Sequence, residues 1–181
     1  MYRIGQEEID AVARVILSGQ LFKTQGDELR CCEALMRGTF GVNHAILMTS
    51  GKAALISALT ALGVGPGDEV IVPGYTYIAT AIAVTAAGAI PVIAEIDETM
   101  TLDVADVKRK ISSHTKAIIP VHIQGFPCDL DALCALGIPV VEDACQADGG
   151  SYKGRRLGTV GAAGALSFNM FKVITAGEGG A

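Results

Sequence analysis

The sequence predicts an α/β fold, a mostly parallel sheet with helices on both faces. Three observations predict it. Short apolar runs of four to seven residues alternate with longer helical stretches. Glycine and proline clusters punctuate them, as at Gly63-Val-Gly-Pro-Gly67 and Pro73-Gly74. Half of the 181 residues are hydrophobic, enough for a core, yet no unbroken apolar run reaches the ~18 residues of a membrane span.

The elements follow in order. Ile9, Val12, Ala13, Ile16 and Leu17 have the spacing of an amphipathic helix over 5–18, closed by Ser18-Gly19. A loop from Leu21 to Gly26 leads to a second helix, Asp27 to about Phe40, ended by Gly41. Ala45–Met48 reads as a short strand, Ser50-Gly51 as a turn, and Ala53–Leu62 as a helix of strong helix formers. Strands are expected at 69–72 and 91–94, with an Ala-rich helix over 77–87 between them. Asp103 caps a helix to about Ile111, whose Lys108, Arg109 and Lys110 form a solvated face. Strands at 117–122, 139–142 and 162–168 and a short helix over 129–135 complete a pattern of βαβ units. The length suits one domain, or most of a larger one.

Composition excludes several functions. A net charge of −5 gives no basic footprint for nucleic acid. The start, Met1 to Glu8, has acids where a secretion signal has bases and an apolar core, and no membrane partner is expected. Cys31, Cys32, Cys128, Cys134 and Cys145 contain no Cys-x-x-Cys and make no zinc spacing with His44, His114 and His122, so no metal is expected. They read as free thiols of a reducing cytoplasm. A nucleophilic role for Cys145 has an acid beside it, Asp143, but no histidine nearby in sequence to activate it.

In a parallel sheet the ligand site lies outside the carboxyl ends of the strands. Thr49–Lys52, Pro73–Tyr77, His122, Asp143–Gln146 and Ser167 each follow a strand, which places them on one edge. Ser50-Gly51-Lys52 opens a helix whose free N–H groups favour a phosphate; a simple serine cap accounts for it equally well. It is neither a Walker loop nor Gly-x-Gly-x-x-Gly, so a plain nucleotide-binding domain is disfavoured. Asp143 ends a buried strand and needs a cationic partner, such as a protonated pyridine nitrogen, or else caps a following helix. Gln146 shares a face with it if that stretch is helical. Tyr77 lays its ring on a flat ligand or packs in the core, and Ser167 can donate to a phosphate. Lys172 sits between apolar residues and the flexible Gly177–Gly180 turn. Desolvation of such an amine permits a Schiff base with an aldehyde; the alternative is an ordinary surface lysine.

Taken as an ordered set, these motifs carry a resemblance. The run Thr49-Ser-Gly-Lys-Ala-Ala-Leu55 is followed by Gly65-Pro-Gly-Asp-Glu-Val-Ile-Val-Pro73, Gly88–Pro91, Thr115–Ile118 and Val121-His122. Glu142-Asp-Ala-Cys-Gln-Ala147, Tyr152–Arg155, Ser167-Phe168, Lys172 and Gly177–Gly180 complete it. In order and spacing the chain resembles the DegT/DnrJ/EryC1/StrS family of aminotransferases over nearly its whole length.

The resemblance implies pyridoxal 5'-phosphate bound to a large domain of aspartate-aminotransferase type, fold type I. Lys172 would hold the cofactor as a Schiff base and move protons. Asp143 would pair with the pyridinium nitrogen, Gln146 with the phenolic oxygen, and Tyr77 would stack on the ring. Ser167 and the amides at Lys52 and Ala53 would hold the phosphate, with Lys52 standing where the family usually has threonine. A lysine at 172 implies transamination, because dehydratase relatives carry histidine there. The implied reaction moves an amino group from glutamate or glutamine to a keto sugar, nucleotide-linked, or to a keto-cyclitol or keto sugar acid. Residues 1–181 would be a truncated large domain without the C-terminal small domain, about half of a typical member. Its expected partner is a second copy or a complementing C-terminal chain; the competing reading is a truncated or non-catalytic chain that needs that partner.

Overall fold

The computed structural model of the protein describes residues 4–22 and 26–181. Met1–Arg3, and residues 23–25 of the expected 21–26 loop, lie outside the described residues. The chain divides into two compact units, Met1–Leu47 and Met48–Ala181.

In the first unit, helices α1 (Gln6–Ser18) and α2 (Asp27–Phe40) match the predicted spans. Each ends on a glycine in the left-handed region, Gly19 at φ 67° and Gly41 at φ 68°, which a side chain would strain. Within this unit Glu33 accepts from the Leu47 N–H at 3.0 Å. Neither helix has a buried residue, and Ile9, Val12 and Ile16 of α1 stand exposed.

The second unit carries the sheet. Helices α3 (Gly51–Ala61), α4 (Ala79–Ala86), α5 (Val104–Lys110) and α6 (Leu130–Cys134) alternate with strands β1 (Glu69–Pro73), β2 (Ile90–Ala94), β3 (Thr115–Ile118) and β4 (Val141–Asp143). A hairpin, β5 (Ser151–Tyr152) with β6 (Arg155–Arg156), precedes β7 (Ala163–Ala165). The pairs β2–β1, β1–β3 and β4–β7 are parallel. Single parallel bridges, Ile118 to Val140 and Val121 to Asp143, connect β3 to β4, so the strands run in the order β2-β1-β3-β4-β7. The α/β class and its parallel sheet are as expected. Alternate residues of the central strand, Val70 and Val72, pack with Leu55 and Leu59 of α3, Ala83 and Val84 of α4, and Val141 and Ala165. Ile71, one residue out of phase, is fully buried outside that cluster, as are Val107 of α5 and Leu130 and Leu133 of α6.

Three predicted strands, those at 117–122, 139–142 and 162–168, are shorter than expected, and one more reduces to a single bridge. Regular pairing of β3 stops at Ile118 because Pro120 has no N–H to give; its carbonyl still accepts from Asp143 N–H at 2.8 Å. Beyond Ala165 the chain leaves the parallel ladder and pairs instead with its own glycine-rich end. Leu166 exchanges hydrogen bonds with Ala181, and Phe168 N–H donates to the Gly179 carbonyl at 2.9 Å. The expected strand at 45–48 survives only as Met48 bridged to Gly180. Thus Gly177–Gly180, read from sequence as a turn, ends with Gly180 bridged antiparallel to both Met48 and Ser167.

Strand β4 carries a buried network. Glu142, with no exposed surface, accepts from the N–H groups of Gly158, Val160 and Gly161 at 2.8, 2.6 and 2.7 Å and from His122 Nε2 at 3.0 Å. His122 Nδ1 accepts the Cys128 N–H, so Nε2 carries the proton given to the carboxylate. Burial pushes the Glu142 carboxyl up, but the histidine and the backbone donors outweigh it and hold its pKa below the ordinary value. Glu142→Gln puts an amide donor against backbone donors and is expected to cost on the order of 3 kcal/mol in urea unfolding near neutral pH. Because the folded pKa is the lower one, this stabilisation is complete above the unfolded carboxyl's value and fades as pH falls through the folded value. The wild-type and variant melting temperatures should therefore converge in acid.

Candidate functional site

At the carboxyl ends of the strands the second unit opens a cavity of about 520 Å³, in the range of small-molecule sites. One wall is the first turn of α3. Ser50 caps it in extended conformation, its hydroxyl taking the Ala53 N–H at 3.1 Å and its carbonyl the Ala54 N–H at 3.0 Å. That leaves the amides of Gly51 and Lys52 as the helix's orphaned donors, and both residues line the cavity. Ala53 does not line it, so the available amides sit one residue earlier than the sequence suggested.

Glycine permits this wall. A Cβ on Gly51 would lie 2.6 Å from Cys145 Sγ and 2.9 Å from Ser167 Cβ, and one on Gly180 would lie 2.5 Å from Gly51 N. The helix N-terminus can therefore press against the strand end that carries Ser167, itself nearly buried on the cavity wall.

Asp143 forms the floor at the end of β4, 5% exposed. Its Oδ2 accepts from Thr80 Oγ1 at 2.8 Å and its Oδ1 from Cys145 N–H at 3.2 Å. With the single Thr80 proton committed to the carboxylate, Thr76 is the donor in the 2.8 Å contact between the two hydroxyls. Of the two readings of Asp143, the helix cap is excluded: no helix follows, and two successive turns are closed by Ala147 N–H to Ala144 O and Gly150 N–H to Ala147 O. Gln146 nevertheless lines the cavity with Asp143. Its Oε1 takes the Gln124 N–H at 3.1 Å, which turns the amide so that its NH₂ is the end left for a ligand. Gln124 holds a left-handed φ of 49° in making that contact.

Tyr77 lines the cavity but precedes α4 rather than lying in it, and it is 67% exposed. Core packing is therefore excluded for this ring. Lys172 is half-buried on the wall formed by the turn after Ser167. Asn169 builds that turn: its carbonyl takes the Lys172 N–H at 2.9 Å, its Oδ1 the Phe171 N–H at 3.1 Å, and its Nδ2 donates to Glu178 at 2.8 Å. Thus Lys52, Tyr77, Asp143, Gln146, Ser167 and Lys172 meet in one cavity. Cys145 also lines it, but burial and then the Asp143 carboxylate push its thiol pKa far up, so it is no thiolate nucleophile. Among the described residues no cluster of histidine, cysteine and acids is arranged to hold a metal, and no helix is long and apolar enough to cross a membrane.

Sequence reasoning missed Thr80 and Asn169. Thr80 is a polar residue in an apolar helix, but so is Thr85, which is exposed and bonds only the Ile82 carbonyl; the difference lies in a partner 63 residues away. Thr80→Val keeps the shape and strips Asp143 of one donor. It is expected to cost about 1–3 kcal/mol in urea unfolding, and an unchanged midpoint would deny the Thr80 bond its role.

Comparison with known proteins places this geometry. The sequence model of the DegT/DnrJ/EryC1/StrS aminotransferase family matches residues 2–181. An aminotransferase from Psychrobacter cryohalolentis is 41% identical and superposes with a TM-score of 0.95 over 98% of this chain and 47% of its own. DesV from S. venezuelae, solved in complex with a ketimine intermediate, is 45% identical with a TM-score of 0.89, covering 96% of this chain and 48% of its own. The PLP form of Spr1654, a putative sugar aminotransferase from Streptococcus pneumoniae, is 32% identical with a TM-score of 0.94, over 98% and 50%. The chain spans about half the length of the solved structures it matches. Its fold is that of these aminotransferases, fold type I.

Proposed function

The chain belongs to the DegT/DnrJ/EryC1/StrS aminotransferase family, and from that premise we propose that its cavity binds pyridoxal 5'-phosphate. The protein would move an amino group from glutamate or glutamine to a keto sugar, nucleotide-linked, or to a related keto-cyclitol or keto sugar acid. One observation carries this reading: a buried carboxylate, the orphaned donors of a helix N-terminus and a lysine line the same cavity. The donor set fits the cofactor's three polar ends.

The Gly51 and Lys52 amides and the Ser167 hydroxyl hold the phosphate at the positive end of α3. The Lys52 ammonium adds charge there; a cation so near a helix N-terminus is disfavoured alone and is offset by a bound dianion. Asp143, oriented by Thr80 and Cys145, would pair with the ring nitrogen and favour its protonated form. Gln146 would give its NH₂ to the phenolic oxygen, and Tyr77 would cover the ring. Bound there, the cofactor supplies an aldehyde that captures amines and a ring that accepts electrons. Lys172 would be the residue that holds the cofactor, its Nζ replacing the aldehyde oxygen with loss of water, and its free amine would be the group that takes and returns a proton.

The open side of the cavity supports a partner. Tyr77, Ile78 and Phe171 on its rim are 67, 61 and 82% exposed, a cost in water unless something covers them. A second copy, or a chain supplying the remaining half, would close the site and bring the substrate contacts; without it the isolated chain would be non-catalytic. Five unpaired cysteines suit a reducing cytoplasm.

Absorbance tests this. The protein mixed with pyridoxal phosphate should gain a band near the visible edge that borohydride fixes, and Lys172→Ala should lack it. Wild type and variant behaving alike would end the proposal.

A further inference from the structure

The segment that carries Lys172 is not held by a core: Phe171, Val173 and Ile174 around it stand exposed. Hydrogen bonds therefore decide where its backbone lies. Two rungs join it to the glycine-rich run that follows, Phe168 N–H to the Gly179 carbonyl and Met170 N–H to the Gly177 carbonyl, both 2.9 Å. Between those rungs Asn169 stands across from Glu178, and its Nδ2 donates to Glu178 Oε1 at 2.8 Å. The other end of the same amide, Oδ1, takes the Phe171 N–H at 3.1 Å, while the Asn169 carbonyl takes the Lys172 N–H at 2.9 Å. An Asx turn and a β-turn thus close over the same four residues. Reversing the amide would set NH₂ against the Phe171 N–H and oxygen against a carboxylate oxygen. Glu178 therefore fixes which way Asn169 points, and Asn169 fixes the turn.

Glu178 is itself anchored, because Gly180, two residues on, is bridged to both Met48 and Ser167. Asn169, Phe171, Lys172 and Glu178 all line the cavity, so this pair is part of its wall. We propose that Asn169 and Glu178 are positioning residues for Lys172: their bond clasps the turn to the Gly180 edge, so that Nζ meets the aldehyde carbon from a fixed backbone as the oxygen leaves as water. This rests on Lys172 being the amine that condenses with the cofactor. The bond matters here, not the charge of Glu178. Glu178→Gln still offers an oxygen to Asn169 Nδ2. Asn169→Asp keeps an acceptor for the Phe171 N–H but sets carboxylate against carboxylate, which repel. Combining the two substitutions exchanges donor and acceptor, restores the bond and leaves the net charge as it was.

Two measurements on these three variants test the clasp. In stopped-flow absorbance with added pyridoxal phosphate, Asn169→Asp should slow growth of the band near the visible edge by about tenfold. Glu178→Gln should stay close to the wild-type rate, and the double variant should recover most of the loss. In the cofactor-free protein, amide hydrogen exchange at Met170 should speed by about tenfold in Asn169→Asp and slow again in the double variant. A pair that merely stabilises the segment would move the unfolding midpoint of Asn169→Asp and leave the rate of band growth in the folded protein alone. Asn169→Asp matching wild type in either measurement overturns the clasp, as does a double variant no better than Asn169→Asp. A wild type that gains no band refutes the cofactor reading separately, and hydrogen exchange still decides whether the clasp exists.

Discussion

The first turn of α3 has to approach the Leu166–Ser167 strand end within van der Waals distance, and the absence of side chains at Gly51 and Gly180 allows it. That approach sets the rest of the site. It brings two unspent amides beside the Ser167 hydroxyl, and it lets Gly180 pair with Met48 and Ser167 at once. The same pairing anchors the turn on which Asn169 presents Lys172. One steric constraint thus joins segments more than 100 residues apart into a single cavity.

Strand β4 divides the electrostatic work. Successive side chains on a strand point to opposite faces, so Glu142 and Asp143, neighbours in sequence, serve different environments. Glu142 turns inward and is saturated by four donors that pin His122 and the Gly158–Gly161 segment. Asp143 turns to the cavity and keeps room for a ligand beside its two donors. Asp148, past the strand, is buried with no hydrogen-bond partner among the described residues. How many donors each acid receives separates the structural Glu142 from Asp143 on the cavity floor.

Much of this was legible in the sequence. The helices of the first unit could be read from apolar spacing and two closing glycines, because both signals are local. The edge location of the site followed from the order of strands and loops, since any parallel sheet puts those loops together. The ends of β3 and β7 were not legible, because they depend on which carbonyl Pro120 leaves for Asp143 and on Leu166 choosing Ala181 as partner. Tyr77 was expected within a helix and lies before one; the Ala-rich run after it obscured the start. Thr80 and Asn169 were missed for a common reason: each acquires meaning only from a neighbour that the fold supplies.

The cavity holds two lysines, Lys52 in the first turn of α3 and Lys172 on the turn after Ser167, and the proposed function gives them different work. Peptide mapping by mass spectrometry after pyridoxal phosphate is bound and reduced with borohydride separates them directly. The account predicts the reduced pyridoxyl group on Lys172, with Lys52 unmodified. An adduct on Lys52, or one spread over surface lysines, would contradict it.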